Sequence, residues 1–78
     1  MQESGTLDLR NAIGKHGEVY LPIPPKRDGF GKVQIQVQGS LRELDAFSDE
    51  GELLKQGTVV KVTDVVDQHI LLVERAGR

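Results

Sequence analysis

Carboxylate side chains are densest in the middle of this 78-residue chain, at Glu43, Asp45, Asp49, Glu50 and Glu52. A calcium loop places its oxygen ligands at fixed alternating positions around a glycine, and the segment from Asp45 to Gly51 lacks that spacing. Paired carboxylates that hydrolyse glycosides must flank a substrate cleft, and the small barrel argued below offers little cleft. The group therefore indicates a solvated acidic loop rather than a metal or catalytic site.

Other residues that could carry chemistry are sparse. The chain has no cysteine, which excludes disulfides and thiolate metal sites. His16 and His69 lie far apart in sequence and lack zinc-ligand spacing. Ser4, Ser40 and Ser48 fall in a tether or in turns, where serine is ordinary turn chemistry. We therefore predict a protein that is not an enzyme, with no catalytic residue, no metal site and no cofactor.

A proline-rich loop is the predicted contact with a partner. Pro22–Arg27 fits the short PxxP-plus-basic form that SH3 domains bind, but the same residues serve as a rigid loop, which is the interpretation we favour. Phe30 follows this loop between two glycines, and we expect it to be exposed, although such aromatics also fold back to cap barrels. Lys26, Arg27 and Phe30 are the predicted partner-contact residues.

Charge and aromatic content argue against a nucleic-acid partner. The net charge is −2, and residues 40–78 carry eight acidic against five basic groups, whereas nucleic-acid binders show a basic face. The other aromatics, Tyr20 and Phe47, are expected in the core or at its edge. No apolar run approaches the ~20 residues needed to span a bilayer, and the first residues lack a signal-peptide pattern. We expect the chain as given to be soluble.

Alternating apolar residues predict five short strands. The clearest has Val33, Ile35 and Val37 facing inward, with polar residues between them. Prolines end the first strand because proline cannot donate to a sheet ladder. The predicted strands are Glu18–Ile23, Lys32–Gln38, Leu41–Phe47, Thr58–Val66 and His69–Glu74.

Four details qualify this pattern. In the first strand, Val19, Leu21 and Ile23 are expected to share the inner face. Leu41 is out of phase with the rest of its strand, which predicts a bulge or a late start there. Val65 breaks the alternation of the fourth strand, and a bulge near Thr63-Asp64 would restore it. In the last strand, Leu71 and Val73 are the predicted inward pair, with Ile70 and Leu72 as the alternative.

The strands and the segment between the third and fourth predict the fold. Leu53 and Leu54 form an apolar plug where an OB-fold carries a helix, and only about nine residues are available there. We predict an all-β, five-stranded OB-fold barrel with that helix reduced to a turn; an SH3-like barrel is the alternative. Residues 1–13 are expected to form a flexible tether, 14–75 the barrel and 76–78 a frayed C-terminus.

The order of glycines, prolines and aliphatic residues also resembles a known family. The matching features are Ile13–Val19, Ile23-Pro24, Gly29–Val33, Ala46–Ser48, Leu54, Gly57, Val60–Val65 and Leu71–Val73. The run over which they are spread covers about three quarters of the chain. The run from Gly14 to Val73 thus resembles the C-terminal soluble domain of NfeD-like membrane proteins.

This resemblance implies an OB-fold barrel carried after transmembrane helices, acting beside flotillin- or stomatin-type proteins in bacterial or archaeal membranes. Residues 1–13 would be the juxtamembrane link, and this domain would be soluble and cytoplasmic. Some longer relatives carry a serine-protease domain, but nothing of it is present here, so no catalytic residue is carried over. The alternative, from the fold alone, is an OB-fold binder of single-stranded nucleic acid or oligosaccharide.

Overall fold

The computed structural model describes residues 9–37, 39–67 and 69–76. These residues form five strands and two short 3-10 turns, at Leu9–Ala12 and Pro25–Arg27. Most of the expected tether, and two of the three residues of the expected C-terminal end, lie outside the described residues. The strands are β1 (His16–Leu21), β2 (Gly31–Val37), β3 (Ser40–Ser48), β4 (Val59–Val66) and β5 (Ile70–Arg75).

The strands close into a barrel in the order β1-β2-β3-β5-β4, with β4 returning to β1. β5 lies between β3 and β4, and its pairing with β3 is parallel, whereas the other pairings are antiparallel. A simple meander would pair each strand with the next in sequence. The crossover to a parallel neighbour is the Greek-key arrangement of an OB-like barrel, which confirms the predicted fold class.

The barrel interior is filled by the aliphatic residues that the alternation placed there. Val33, Ile35 and Val37 are buried, as predicted for β2. In β5, Leu71 and Val73 are the inward pair. The register of β4 with β5 shifts between Val62 and Asp64, which confirms the predicted bulge. The inward aliphatic residues of the described strands are almost fully covered and fill the barrel interior.

Two predictions about the end of β1 are wrong. The register with β2 shifts between Val19 and Leu21, so Tyr20 is an extra residue in β1. A bulge of this kind sets two residues of one strand against one of its partner. Tyr20 and Leu21 are accordingly 40% and 45% exposed. The expected core position of Tyr20 and inward position of Leu21 are therefore wrong.

The start of β3 corrects a third prediction. The strand begins at Ser40, and its register with β2 runs without interruption from Val37↔Ser40 to Gly31↔Ala46. Neither the predicted bulge nor the late start is present. Leu41 is out of phase because its side chain is on the outer face, where it is 60% exposed.

One end of the barrel is closed by a contact between two loops. The backbone N–H of Ile23 donates to the carbonyl of Leu54, and the N–H of Leu54 donates to the carbonyl of Ile23, each at 3.0 Å. Both side chains are fully buried. Of the predicted plug, Leu54 enters the core and Leu53 stays 45% exposed. This bridge takes the place of the OB-fold helix.

The other end is covered by the chain before β1. Leu9 and Ala12 are buried in the core. The N–H of Gly14 donates to the carbonyl of Val62 at 2.8 Å, and the N–H of Val62 donates to the carbonyl of Lys15 at 2.9 Å. The end of the segment expected to be a tether is therefore packed against the barrel.

We expect Leu54→Ala to lower the free energy of unfolding by about 2–5 kcal/mol, because it leaves a cavity at the end of the core. Urea denaturation measures the loss. The neighbouring substitution Leu53→Ala is the matched control and should cost less than about 1 kcal/mol, because that side chain is half exposed. Equal losses for the two variants would contradict the plug role of Leu54.

We expect Gly31→Ala to destabilise the protein by about 3 kcal/mol or more. A Cβ at Gly31 would collide with the backbone carbonyl oxygens of Leu21 and Pro22, where β2 crosses the end of β1. Gly29→Ala is the control, since its Cβ would meet only the Pro24 ring at 3.4 Å. Thermal unfolding compares the two, and a stable Gly31→Ala protein would refute the close approach.

Candidate functional site

The predicted contact residues lie on the β1–β2 loop, residues 22–30, which contains an unusual turn. Lys26 and Arg27 both have φ of 55°, and the N–H of Asp28 donates to the carbonyl of Pro25 at 3.0 Å. Two consecutive left-handed residues in a four-residue turn form the mirror image of a common β-turn. Without glycine, this conformation costs roughly 1–2 kcal/mol per residue, so other contacts must hold it.

Those contacts come from the β3–β4 loop, residues 49–58. The N–H of Lys26 donates to the carbonyl of Glu50 at 3.0 Å. The Arg27 guanidinium donates two hydrogen bonds to the Asp49 carboxylate, from Nε to Oδ1 at 2.7 Å and from Nη2 to Oδ2 at 3.1 Å. The hydrogen bond to Asp49, together with its charge, raises the pKa of Arg27. The side chain of Arg27 is thus committed to fixing the loop.

Glu50 connects this support to the barrel. Its N–H donates to the Ser48 hydroxyl oxygen at 2.9 Å, and Ser48 is fully buried at the end of β3. Its carboxylate accepts the N–H of Arg75, at the end of β5, at 2.8 Å. Of the acidic residues assigned from sequence to a solvated loop, Asp49 and Glu50 therefore hold the site in place. Glu43 and Asp45 lie in β3 instead, so the prediction of a loop is wrong for these two. Serine two residues before Glu50 is the sequence signal for this turn.

Phe30 is exposed but supported from one side. Its ring meets Phe47 edge to face, with centroids 5.7 Å apart and planes at 83°, a favoured aromatic geometry. Phe30 is 53% exposed, as expected from the sequence, and Phe47 is half-buried at the end of β3. Phe47 therefore supports one side of the Phe30 ring, and much of the rest of the ring is exposed to solvent.

Lys26, Arg27 and Phe30 are all exposed on this one loop, and we call their exposed side the loop surface. Lys26 is exposed, and its side chain forms no ion pair with the described residues. The loop surface offers one unpaired cation and one aromatic ring on a fixed backbone. This arrangement suits recognition rather than bond-making, and their role as partner contacts stays a prediction.

The outer face of β2 and β3 is the usual ligand face of an OB-fold, and here it is acidic. Lys32 donates to Asp45 at 2.7 Å, which raises the pKa of Lys32. Gln34 donates to Glu43 at 3.4 Å, and Glu18 lies beside Gln34 in the register. Single-strand binders need a positively charged groove with stacking aromatics. This face therefore gives no support to the nucleic-acid alternative.

Open grooves lie on the outside of the barrel. One of them, about 540 Å³, lies between the β3–β4 loop and the end of β5, with Leu53, Val59 and Arg75 among its walls. No group of three or more histidine, aspartate or glutamate residues in the described part of the chain could hold a metal ion. Nor is any helix within that part long and apolar enough to cross a membrane.

Comparison with known proteins gives a family match. The model of the NfeD C-terminal domain family matches residues 16–74. Those residues include β1 to β4, all of β5 except Arg75, and both the β1–β2 loop and the β3–β4 loop. Among curated proteins, no significant match is found.

Three solved structures share the fold. The soluble domain of the NfeD protein YuaF from Bacillus subtilis is 31% identical, with a TM-score of 0.66 over 83% of this chain and 74% of that one. The C-terminal domain of stomatin operon partner protein 1510-C from Pyrococcus horikoshii is 22% identical, with a TM-score of 0.66 over 97% of this chain and 100% of that one. A soluble domain from Corynebacterium glutamicum, belonging to a membrane protein implicated in regulation of membrane protease activity, is 20% identical. Its TM-score is 0.61 over 87% of this chain and 97% of that one.

We expect Arg27→Ala to loosen the loop without unfolding the barrel. An exposed ion pair contributes at most about 1 kcal/mol to global stability, but its loss should raise the amide exchange rate of Lys26, whose N–H bonds to Glu50. Native-state hydrogen exchange measures this. Lys32→Ala removes the other strong ion pair, on the β2–β3 face, and should leave the Lys26 amide unchanged. Unchanged protection in Arg27→Ala would show that the pair does not hold the turn.

Proposed function

Because the chain belongs to the NfeD C-terminal domain family, we propose that it is a non-enzymatic protein-interaction domain of a membrane-associated protein. In this proposal the domain is a soluble, cytoplasmic part of a bacterial or archaeal protein, and membrane attachment comes from helices outside this chain. Its partner is a flotillin- or stomatin-type membrane protein. The family match over residues 16–74 supports the general class, and the loop surface supports the mode of action.

The observation that carries the proposal is the fixed presentation of Phe30 and Lys26. Protein interfaces are enriched in aromatic side chains, phenylalanine included, and their hot spots are enriched in tryptophan, tyrosine and arginine. Phe30 rests on Phe47, and the backbone of Lys26 is tied to Glu50. A loop already held in one conformation loses less entropy on binding. These side chains include no nucleophile paired with a base, which supports recognition over catalysis.

The choice of partner class rests on similarity. The Pyrococcus protein is described as a stomatin operon partner protein, and the Corynebacterium protein as a membrane protein. At such identities these similarities concern the fold, so the partner is our inference. We place the juxtamembrane link before Leu9, because Leu9 and Ala12 are buried in the barrel core.

We expect Phe30→Ala to weaken binding to a purified flotillin- or stomatin-type protein from the same organism by about tenfold or more, as for an interface hot spot. Tyr20→Ala is the matched control, because Tyr20 is also an exposed aromatic, 40% exposed on β1. It should change the affinity less than about twofold. Isothermal titration of the 78-residue chain against the partner in nanodiscs gives the dissociation constants.

Charge gives a second arm to the same experiment. Lys26→Glu should weaken binding, whereas Lys61→Glu, an equal charge change on β4, should not. If each loop variant lost no more affinity than its matched control, the loop surface would not be the contact with the partner. If the chain bound neither partner class but bound oligonucleotides at low salt, where electrostatic binding is strongest, the alternative function would replace this one.

A further inference from the structure

The third strand is only partly covered by its neighbours. β3 pairs with β2 from Ser40 to Ala46, but its pairing with β5 is confined to Ala46–Ser48. Within the described residues, the first part of β3 therefore has one side that no strand covers. We call this side the β3 edge, Ser40–Asp45.

The backbone groups along the β3 edge are arranged for strand addition. In an antiparallel pair, successive residues alternate between exchanging hydrogen bonds with the partner strand and pointing away from it. Val37 and Ser40 are paired with two residues between them, so this pair closes the hairpin and is the hydrogen-bonded kind. By alternation, Arg42 and Leu44 bond to β2, whereas Leu41 and Glu43 direct their N–H and C=O groups outward.

The β3 edge lacks several of the features that protect exposed strands, although three of its side chains are charged, those of Arg42, Glu43 and Asp45. Natural edge strands are blunted by proline, by charged side chains and above all lysine, by bulges or by shortness. Ser40–Asp45 contains neither proline nor lysine, and its register with β2 is continuous. Leu41 is 60% exposed, the largest exposed fraction among the large apolar side chains of the described residues. A regular, uncovered strand with an exposed leucine is a template for another strand.

The side chains on the outer face of the β3 edge determine which kind of added strand can bind there. Glu43 is exposed and accepts a hydrogen bond from the neutral Gln34 side chain at 3.4 Å. Among the described residues it forms no ion pair, although its charge also acts on Lys32. Asp45 is already paired with Lys32 at 2.7 Å. Glu43 is thus the carboxylate available to a new cation, and Leu41, two residues away on the same face, is available to an apolar side chain.

A second copy of this chain is disfavoured on the β3 edge in registers that are centred on a charged residue. In a symmetric antiparallel pair, each residue at the centre faces its own copy. A centre at Glu43 sets two carboxylates together, and a centre at Arg42 sets two guanidinium groups together. Like charges directly opposite each other are destabilising.

We propose that the β3 edge binds an extended segment of another protein by strand addition, with a basic residue opposite Glu43 and an apolar residue opposite Leu41. Main-chain bonds to Leu41 and Glu43 provide affinity, and the two side-chain positions provide specificity, as in other β-augmentation complexes. This site is separate from the loop surface, so it stands whether or not the loop contacts a partner.

The test uses a capped eight-residue peptide, Thr-Lys-Thr-Val repeated twice, titrated into the 78-residue chain and followed by amide NMR shifts and hydrogen exchange. We expect saturable shifts centred on residues 41–45 and slower exchange of the Leu41 and Glu43 amides. A peptide with glutamate in place of lysine should bind about two- to fivefold more weakly, the scale of a cross-strand charge pair.

Glu43→Lys should reverse this preference, so that the glutamate peptide binds more tightly than the lysine peptide. Glu74→Lys, the same charge change on an exposed position of β5, is the control and should keep the wild-type preference. Both variants leave the core intact, so folding does not confound the comparison.

Four results would overturn the proposal. They are no saturable binding at millimolar peptide, shifts centred on residues 26–30, an unchanged preference in Glu43→Lys, and self-association that protects the same amides without peptide.

Discussion

The backbone bridge between Ile23 and Leu54 is the contact on which the rest of the structure depends. A five-stranded barrel has an apolar interior that is open at its ends, and an OB-fold covers one end with a helix. Here the segment between β3 and β4 is too short for one, and a single leucine enters the core. Two backbone bonds of 3.0 Å satisfy the polar groups that accompany it into the interior. The same bridge brings the two loops that form the loop surface into contact.

That closure explains how the strained turn at Lys26 and Arg27 persists. Left-handed residues other than glycine survive where surrounding contacts over-determine them. The bridge sets the β3–β4 loop beneath the turn, so that Asp49 and Glu50 meet Arg27 and the Lys26 backbone. The acidic residues compensate for local strain. The turn is therefore a consequence of how the barrel is closed.

Sequence pattern predicts what depends on alternation and misses what depends on distant contacts. The inward aliphatic residues and the β4 bulge follow from period two, because one break in phase at Val65 implies one inserted residue. The bulge at Tyr20 leaves no such break in the sequence, because Leu21 and Ile23 still alternate as apolar residues. In the structure Leu21 lies outside the core and Ile23 lies inside it. Asp49 and Arg27 are 22 residues apart, and nothing local to either residue indicates that they meet. The pattern could thus identify Lys26, Arg27 and Phe30 but not what supports them.

Because the barrel is filled and closed, a partner must bind to its outer surface. Residues of β3 contribute to both of the surfaces described above. Phe47, near the end of the strand, supports Phe30 on the loop surface. Leu41 and Glu43, near its start, form the β3 edge. One surface presents a cation with an aromatic ring, and the other presents a carboxylate with an aliphatic side chain. Because the two surfaces carry opposite charges, a charged segment that binds one of them is repelled by the other. A partner that binds both must therefore carry two different segments, in a fixed order along β3. Two such contacts on one rigid element would increase affinity through effective concentration, without requiring either contact to be strong.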